Sequence, residues 1–242
     1  MENLIPLQGE LITLDEQAQK NIIELRNEPV VYSGASPADQ SLMLKRTPAA
    51  KRTYLSRLNE AAKLWGFTMD IPDGLSHRER QAYQRELYKQ VPWHKVRRIH
   101  VAALLSLLRD IPKDPSKPNQ YRSAQTINVT LAAVKDVARQ AFMLEQMTAD
   151  EFKRIELLKG DRVFRQPVGR NITIGEIRAI MSVCEADKSP AGCRDAAIIG
   201  LMYTGGLRRF EVVGLNYEDL DFEEKVITLV GKGRKVRKTW PD

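Results

Sequence analysis

The stretch that decides the fold of this chain is MYTGGLRRFEVVGL, residues 202–215. Its two glycines, Gly205 and Gly206, follow an apolar run and predict the end of one helix, because glycine commonly stops a helix. Arg208 and Arg209 then stand at the start of a second, short helical pattern. The positive end of the helix dipole makes cations slightly unfavourable there. The pair is therefore either solvated surface charge or a group that binds an anion beside free backbone N–H groups.

The residues that follow this stretch predict a basic β-hairpin. Residues 226–230 are mostly β-branched, as in a strand, and residues 234–240 alternate in polarity, as in a return strand. A Gly-Lys-Gly turn, 231–233, joins the two. From these residues alone, the hairpin is either a nucleic-acid-binding patch or an exposed sheet edge that its charge protects. Its five basic residues are Lys232, Arg234, Lys235, Arg237 and Lys238.

The segment before the stretch predicts a linker and two helices. TIGE, residues 173–176, is a capping box that opens a helix, and CRDAAIIGLMYT, residues 193–204, is apolar enough to predict a buried helix. Residues 159–172 carry Pro, Gly and several basic residues against one acid, Asp161, which is typical of a linker between domains. Such a linker either lies along phosphates or is a solvated loop.

Helical patterns also dominate the N-terminal part of the chain. Apolar residues recur at three- and four-residue steps in helices that begin near Thr47, Lys95 and Ser123. A capping box at Thr148 begins another helix. HRERQAYQRELYKQ, from His77, is polar on nearly every side, so it is either an exposed helix or a contact surface.

These patterns divide the chain into four parts. Residues 1–45 are mixed, with one short helix followed by a loop at VVYSGASPADQ, and form an N-terminal segment that can be flexible. A helical domain covers 46–158, the basic linker covers 159–172, and a domain that combines helices with the hairpin covers 173–242. The expected fold class is mainly α with a small antiparallel β-sheet.

Composition limits the classes of function. The chain has 242 residues and a net charge of +7, its sequence pI is about 9.4, and 43% of its residues are hydrophobic. A packed core and a polyanionic partner, most often nucleic acid, are therefore expected. Cys184 and Cys193 fit no disulfide framework or metal spacing and are expected to be small buried residues. No signal peptide or membrane span is predicted, so the expected location is cytoplasmic, without a membrane partner.

Together, the two motifs resemble the tyrosine recombinase (phage integrase) family. In that family a buried helix leads into G-L-R-x-x-E-L/V-x-x-L, and a short β-unit with G-K-G-x-K-x-R follows. The separation of Arg208 from Lys232 also suits the family. Gly205 stands where most members have Thr or Ser, a departure that concerns the local loop geometry and not Arg208. The matching residues are Gly206, Leu207, Arg208 and Glu211 in the first motif, and Gly231, Lys232, Gly233, Lys235 and Arg237 in the second.

The resemblance, which covers most of residues 45–240, implies a fold and a chemistry. The fold is an all-α core-binding (SAM-like) domain followed by the N-terminal part of the α+β integrase catalytic domain. In the reaction, a tyrosine attacks a DNA phosphodiester and forms a 3′-phosphotyrosine link, and a 5′-hydroxyl then rejoins the strands, without metal or other cofactor. Arg208 is expected to hold the scissile phosphate, Lys232 to protonate the leaving 5′ oxygen, and Glu211 to orient the arginine site.

The implied partners are double-stranded DNA with a specific recombination site and, on that DNA, further copies that complete a tetramer. Basic residues outside the catalytic positions are expected to contact DNA phosphates, each of them being otherwise a solvated charge. The expected DNA-contact residues are Lys51, Arg52, Arg122, Lys135, Arg139, Arg165, Arg209, Arg234, Lys235 and Arg237.

The sequence departs from the family after the second motif. The family places further catalytic residues there: a His/Lys-x-x-Arg motif, a His or Trp, and the nucleophilic tyrosine. The histidines of this chain are His77, His94 and His100 and its last tyrosine is Tyr217, so none matches. The expectation is a C-terminally truncated recombinase that binds DNA without cleaving it. The alternative is a non-enzymatic regulatory or architectural DNA-binding protein derived from a recombinase.

Overall fold

The computed structural model describes residues 16–114, 116–163, 169–230 and 236–240. Contacts within the chain divide it into two compact units, Met1–Phe164 and Arg165–Asp242. The division falls inside the basic segment 159–172, so that segment joins the units in the sequence.

The described part of the first unit consists of helices and loops. The Thr47 hydroxyl accepts a hydrogen bond from the Ala50 N–H at 3.1 Å, and Ser123 caps α6 in the same way, so the helix starts predicted at these two residues are confirmed. α5 begins later than predicted, at Arg98, because a short 3-10 turn occupies Trp93–Lys95. The helices are α1 (Glu16–Asn27), α2 (Pro37–Met43), α3 (Pro48–Leu64), α4 (His77–Gln84), α5 (Arg98–Asp110), α6 (Ala124–Met143) and α7 (Ala149–Glu156).

α6 lies at the centre of this unit, because α2, α3, α5 and α7 all pack against it. Its apolar face is buried along its length, with Ile127, Leu131 and Val134 among the buried residues. Two further buried side chains, Trp65 and Trp93, meet with their ring centroids 5.7 Å apart. Burying a large apolar side chain is favourable by about 1.5–3 kcal/mol, so this cluster supplies most of the driving force for folding the unit.

Residues 16–44 belong to this helical core, although the sequence patterns separate 1–45 as an N-terminal segment. Ile22 and Leu25 of α1 and Leu42 of α2 are buried. The predicted loop over VVYSGASPADQ is wrong at its end, because the Pro-Ala-Asp-Gln residues open α2. A helix of seven residues is too short to display a helical period, and only its Ser-Pro start signals it.

His100, on α5, is a titratable group in this core. It is 7% exposed, and its Nδ1 accepts a hydrogen bond from the Arg97 backbone N–H at 2.9 Å. Burial, helped by the nearby charge of Arg97, lowers the pKa of His100 to about 4. The folded unit therefore keeps this imidazole neutral, whereas the unfolded chain protonates it near its ordinary pKa of about 6.5.

The first unit is therefore expected to lose stability as the pH falls below about 6.5. A histidine whose folded pKa is depressed contributes its full stabilisation above the unfolded pKa and loses it as the pH falls toward the folded pKa. Between pH 7.5 and pH 5.0 the loss is about 2 kcal/mol. Urea unfolding, followed by the fluorescence of Trp65 and Trp93, measures it. His100→Gln should remove most of this loss and His77→Gln, at an exposed histidine, should not; equal acid sensitivity in all three proteins would contradict the assignment.

The described part of the second unit combines three helices with a small sheet. The strands run in the order β1-β2-β3, all antiparallel, with Val230 opposite Val236. The predicted fold class, mainly α with a small antiparallel sheet, is confirmed. β1 was not predicted, because two residues carry no alternation. The elements are α8 (Ile174–Ala186), α9 (Pro190–Tyr203), α10 (Arg209–Val213), β1 (Leu220–Asp221), β2 (Val226–Val230) and β3 (Val236–Thr239).

The prediction that α9 is buried is wrong for this unit. Its residues Ile198, Met202 and Tyr203 are exposed, because α8 and α10, the helices that pack on α9, leave part of its surface uncovered. The cysteines, also predicted to be buried, are half-buried at Cys184 and exposed at Cys193. The apolar centre of the unit is small and is formed by Leu207, Ile227 and Leu229, against which Leu201, Val212, Leu215 and Leu220 pack. Within the described ranges, no helix has the length and apolar character that a bilayer crossing requires.

Candidate functional site

The Gly-Gly loop between α9 and α10 has a geometry that requires its glycines. A Cβ atom at Gly205 would lie 2.6 Å from Leu207 Cδ1 and 2.9 Å from the Leu201 carbonyl oxygen, closer than a side chain allows. Gly206 has a φ of +59°, in the left-handed region that favours glycine. The buried Leu207 then anchors the chain, so Arg208 becomes the N-cap residue of α10.

Glu211 is a buried carboxylate that holds this helix start together. Its side chain has no exposed surface, and its Oε2 accepts hydrogen bonds from the Arg208 backbone N–H at 2.7 Å and from Arg237 Nη2 at 2.9 Å. Its Oε1 accepts a hydrogen bond from Arg208 Nη1 at 3.1 Å. The Arg208 backbone N–H first, and then the guanidinium groups of Arg237 and Arg208, lower the pKa of Glu211, so the carboxylate is ionised at neutral pH.

Arg208 presents its charge to solvent. Its side chain is 68% exposed, and among the described residues only Nη1 of its guanidinium has a hydrogen-bond partner, Glu211. The other N–H donors of the group have no hydrogen-bond partner in the part of the chain that the structure describes. A fixed guanidinium with free donors suits bidentate binding of a phosphate or carboxylate.

Arg237 reaches the same carboxylate from β3. Its side chain is 39% exposed, and besides Glu211 its Nη2 lies 3.4 Å from the Gly206 carbonyl oxygen. On the same face of the strand, Thr239 Oγ1 donates a hydrogen bond to the Gly205 carbonyl oxygen at 3.1 Å. β3 thus ties the Gly-Gly loop from one side. The sequence predicted Arg237 only as a DNA contact. Residues two apart on a strand lie on the same face, so the spacing of Arg237 and Thr239 was the signal that both side chains face the Gly-Gly loop.

The remaining predicted residues of the second motif lie where no placement is described. Residues 231–235, and with them Lys232, Arg234 and Lys235, lie outside the described residues, as does Arg165 of the linker. Arg209 is exposed on α10 and has no ion-pair partner within the described parts of the chain.

Two of the residues predicted to contact DNA in the first unit form hydrogen bonds within the protein. The Arg122 side chain is 7% exposed; its Nε donates to Glu60 Oε1 at 2.6 Å and its Nη1 to the Ile111 carbonyl oxygen at 2.6 Å. Lys135 Nζ donates to the Glu156 carbonyl oxygen at 2.8 Å, near the C-terminal end of α7. Both charges satisfy groups of the protein, which argues against the predicted phosphate contacts. A helix-face pattern cannot show this, because the partners come from distant parts of the sequence.

Three other predicted contacts in this unit are accessible. Lys51 and Arg52 are exposed neighbours on α3 and have no acidic partner among the residues that the structure describes. Arg139 is exposed on α6, with only long ion pairs to Asp136 and Glu156, at 3.9 and 4.0 Å. Because Lys51 and Arg52 are unpaired within the described residues and the ion pairs of Arg139 are weak, these three side chains can turn to an external anion.

A basic groove next to Arg52 was missed in the sequence. It has a volume of about 530 Å³, lies between α3 and α4, and contains a second exposed arginine, Arg85. None of its lining residues is acidic. Its signal was the mostly polar HRERQAYQRELYKQ segment, whose first eight residues form α4, a helix without a buried residue. The groove is lined by Arg52, Leu55, Ser56, Asn59, Gln81, Gln84 and Arg85.

Comparisons with known proteins agree with both sequence motifs. Residues 170–240, which contain α8–α10 and the sheet, match the Phage integrase family. Tyrosine recombinase XerC of Chlamydia trachomatis serovar L2 is 32% identical over 117 residues, 48% of this chain and 36% of that protein. Tyrosine recombinase XerD of Bifidobacterium longum is 27% identical over 170 residues, 69% of this chain and 54% of that protein. The chain thus spans about a third to a half of the curated relatives it matches.

Among solved structures, the Tn1549 transposon integrase (residues 82–397), in complex with circular intermediate DNA, is similar to 78% of this chain and 60% of that one, at 18% identity and a TM-score of 0.39. The resemblance drawn from the two sequence motifs is confirmed by the family match and by the recombinase relatives. Residues 170–240 of this chain are therefore similar to the phage integrase family, and the relatives named above are tyrosine recombinases.

Proposed function

We propose that this chain binds double-stranded DNA as part of a site-specific recombinase, with Arg208 placed to hold the scissile phosphate. The observation that carries the proposal is the exposed guanidinium of Arg208, fixed at the start of α10 by the buried Glu211. The match of residues 170–240 to the phage integrase family and the relatives named tyrosine recombinase support the choice of partner. The net charge of +7 is of the sign that a DNA ligand requires.

The chemistry follows from the charge that develops during strand transfer. When a nucleophile adds to a phosphodiester, negative charge grows on the non-bridging oxygens, and a guanidinium with free donors stabilises it. The bond from phosphorus to the 5′ oxygen breaks in the same step, and that oxygen takes up a proton. In this proposal Lys232 gives the proton. The nucleophile is a tyrosine in the relatives' class of enzyme, and none of the seven tyrosines of this chain follows the second motif, so we propose that the chain alone binds DNA without cutting it.

Both units are proposed to contribute phosphate contacts. In the first unit the accessible cations are Lys51, Arg52 and Arg139, and in the second Arg208 and Arg209. Each phosphate that a cation neutralises releases a counterion, so the affinity for DNA should fall linearly with salt concentration on a double logarithmic scale.

The whole chain is expected to bind a fluorescein-labelled, random-sequence 30-base-pair duplex at least about 100-fold more weakly at 200 mM than at 50 mM salt. Fluorescence anisotropy measures the dissociation constant at each salt concentration. Replacing Lys51 and Arg52 together by glutamine should reduce the slope of log Kd against log salt by about 2. Arg26→Gln, which removes an exposed charge on α1, is the matched control and should leave the slope nearly unchanged.

A salt-independent affinity, or no binding at 50 mM salt, would contradict the proposed DNA-binding function. A duplex of the same length that carries a candidate recombination site with a nick separates two interpretations of the chain: covalent trapping on it would show a cleaving enzyme and contradict the proposal that this chain only binds.

A further inference from the structure

The Glu211 cluster contains one more cation than it needs to neutralise its carboxylate. Two guanidinium groups, of Arg208 and Arg237, meet one carboxylate, so the cluster keeps one net positive charge. The two cations differ in position: Arg237 is turned toward the carboxylate and the Gly206 carbonyl oxygen, whereas Arg208 is mostly in solvent. The surplus charge is therefore presented at Arg208.

A buried carboxylate is costly without a cationic partner. If Arg208 were the only partner of Glu211, an incoming phosphate would have to draw the guanidinium away from a buried charge, and the neutral pair would offer the phosphate little attraction. With Arg237 in place, Glu211 keeps a cation when Arg208 turns outward. Glu211 Oε2 accepts hydrogen bonds from Arg237 and from the Arg208 backbone N–H. Neither of these two bonds uses the Arg208 guanidinium, so both can persist when that group turns outward.

We propose that Arg237 is a positioning residue that neutralises Glu211 and thereby frees Arg208 to bind a DNA phosphate. Its contacts fit that role better than a direct contact with DNA. The Nη2 group is bonded inward, and Nε is buried, with no hydrogen-bond partner in the described parts of the protein. A buried donor left unpaired has a cost, which is tolerated where the charge itself is needed. The inference rests on the proposed function, because it assigns the ligand of Arg208.

A double-mutant cycle on the whole chain tests the inference, with anisotropy of the 30-base-pair duplex as the readout. Arg237→Gln should weaken DNA binding about fivefold, because Arg208 is then the only cation left to neutralise Glu211 and is less available to the phosphate. Arg208→Ala should then cost much less in the Arg237→Gln protein than in the wild type, because its guanidinium is already held by Glu211. Arg237→Lys, which keeps the charge, should recover most of the affinity.

The Glu211→Gln background separates positioning from folding. With no carboxylate to neutralise, Arg237→Gln should no longer weaken DNA binding there; a purely structural arginine would weaken it in both backgrounds. Two results would overturn the inference. One is that the Arg208 and Arg237 substitutions reduce the affinity for DNA independently and additively, and the other is an unchanged affinity in Arg237→Gln. Should Arg237→Gln fail to fold, Arg237→Lys decides in its place: the inference requires it to keep most of the wild-type affinity and nearly the full cost of Arg208→Ala, and a several-fold loss of affinity in a folded Arg237→Lys protein would overturn it. Failure of the wild type to bind the duplex is a different result, which overturns the proposed function itself.

Discussion

Glu211→Ala should lower the melting temperature of the second unit by about 10 °C or more. The substitution removes a carboxylate that accepts three hydrogen bonds and leaves Arg237, half-buried, without its anionic partner. The start of α10 also loses its cap, and the Gly-Gly loop loses the link that joins it to β3 through Arg237. Because β2, which pairs with β3, contributes Ile227 and Leu229 to the small apolar centre, the loss should spread to the sheet.

Hydrogen exchange measured by mass spectrometry locates the effect. Peptides that cover residues 220–230 should lose protection in Glu211→Ala, while those of α6 in the first unit keep it. Glu223→Ala, at an exposed carboxylate of the same unit, is the matched control and should melt with the wild type. A Glu211→Ala protein with unchanged protection in the sheet would refute the view that this carboxylate holds the site together.

The pH dependence of the stabilisation that Glu211 provides has a definite sign. The folded pKa of Glu211 is lowered, chiefly by the Arg208 backbone N–H, so the stabilisation from its ionised form is complete above the unfolded pKa and is lost as the pH falls through the folded pKa. The difference in stability between the wild type and Glu211→Gln should therefore be largest near neutral pH and shrink in acid.

What the sequence predicted well was local. Helix starts were found where a hydroxyl residue caps the first turn, as at Thr47, Ser123 and Thr173, because cap and helix lie within four residues of each other. The hairpin strands were found for the same reason, since a β-branched run and an alternating run each identify a strand from a few neighbouring residues. Arg208 and Glu211 were paired by their spacing, which is a helix-cap spacing as well as a family motif.

What the sequence missed depends on contacts between distant residues. In the sequence Arg122 resembles an ordinary surface charge. In the structure its guanidinium donates hydrogen bonds to Glu60 and to the Ile111 carbonyl oxygen. The apolar α9 was expected to be buried, but burial depends on how much of the rest of the unit is available to cover it. Arg237 was expected to contact DNA because of its charge, and its hydrogen bond to Glu211 was not predicted. In each case the residue type was right and the partner was unknown.

Arg208→Ala is expected to weaken DNA binding by about 10- to 100-fold, the range for losing charge-assisted hydrogen bonds to a phosphate. Its stability should change little, because the side chain is 68% exposed and Glu211 retains Arg237 and the backbone N–H of residue 208. The slope of log Kd against log salt should decrease by about 1, the contribution of one phosphate contact. Anisotropy titrations of the 30-base-pair duplex, with melting curves of the same preparations, measure all three quantities.

Two matched variants show whether geometry or charge alone carries the effect. Arg209→Ala removes the adjacent exposed arginine, which has no partner in the described residues, and should cost less affinity than Arg208→Ala. Arg208→Lys keeps the charge but loses the planar fork of donors, so it should recover the salt slope and only part of the affinity. If Arg208→Ala and Arg209→Ala weaken binding equally, the buried Glu211 gives Arg208 no special position. The two arginines would then act as general surface charge, the first of the two readings that their place after the Gly-Gly break allowed.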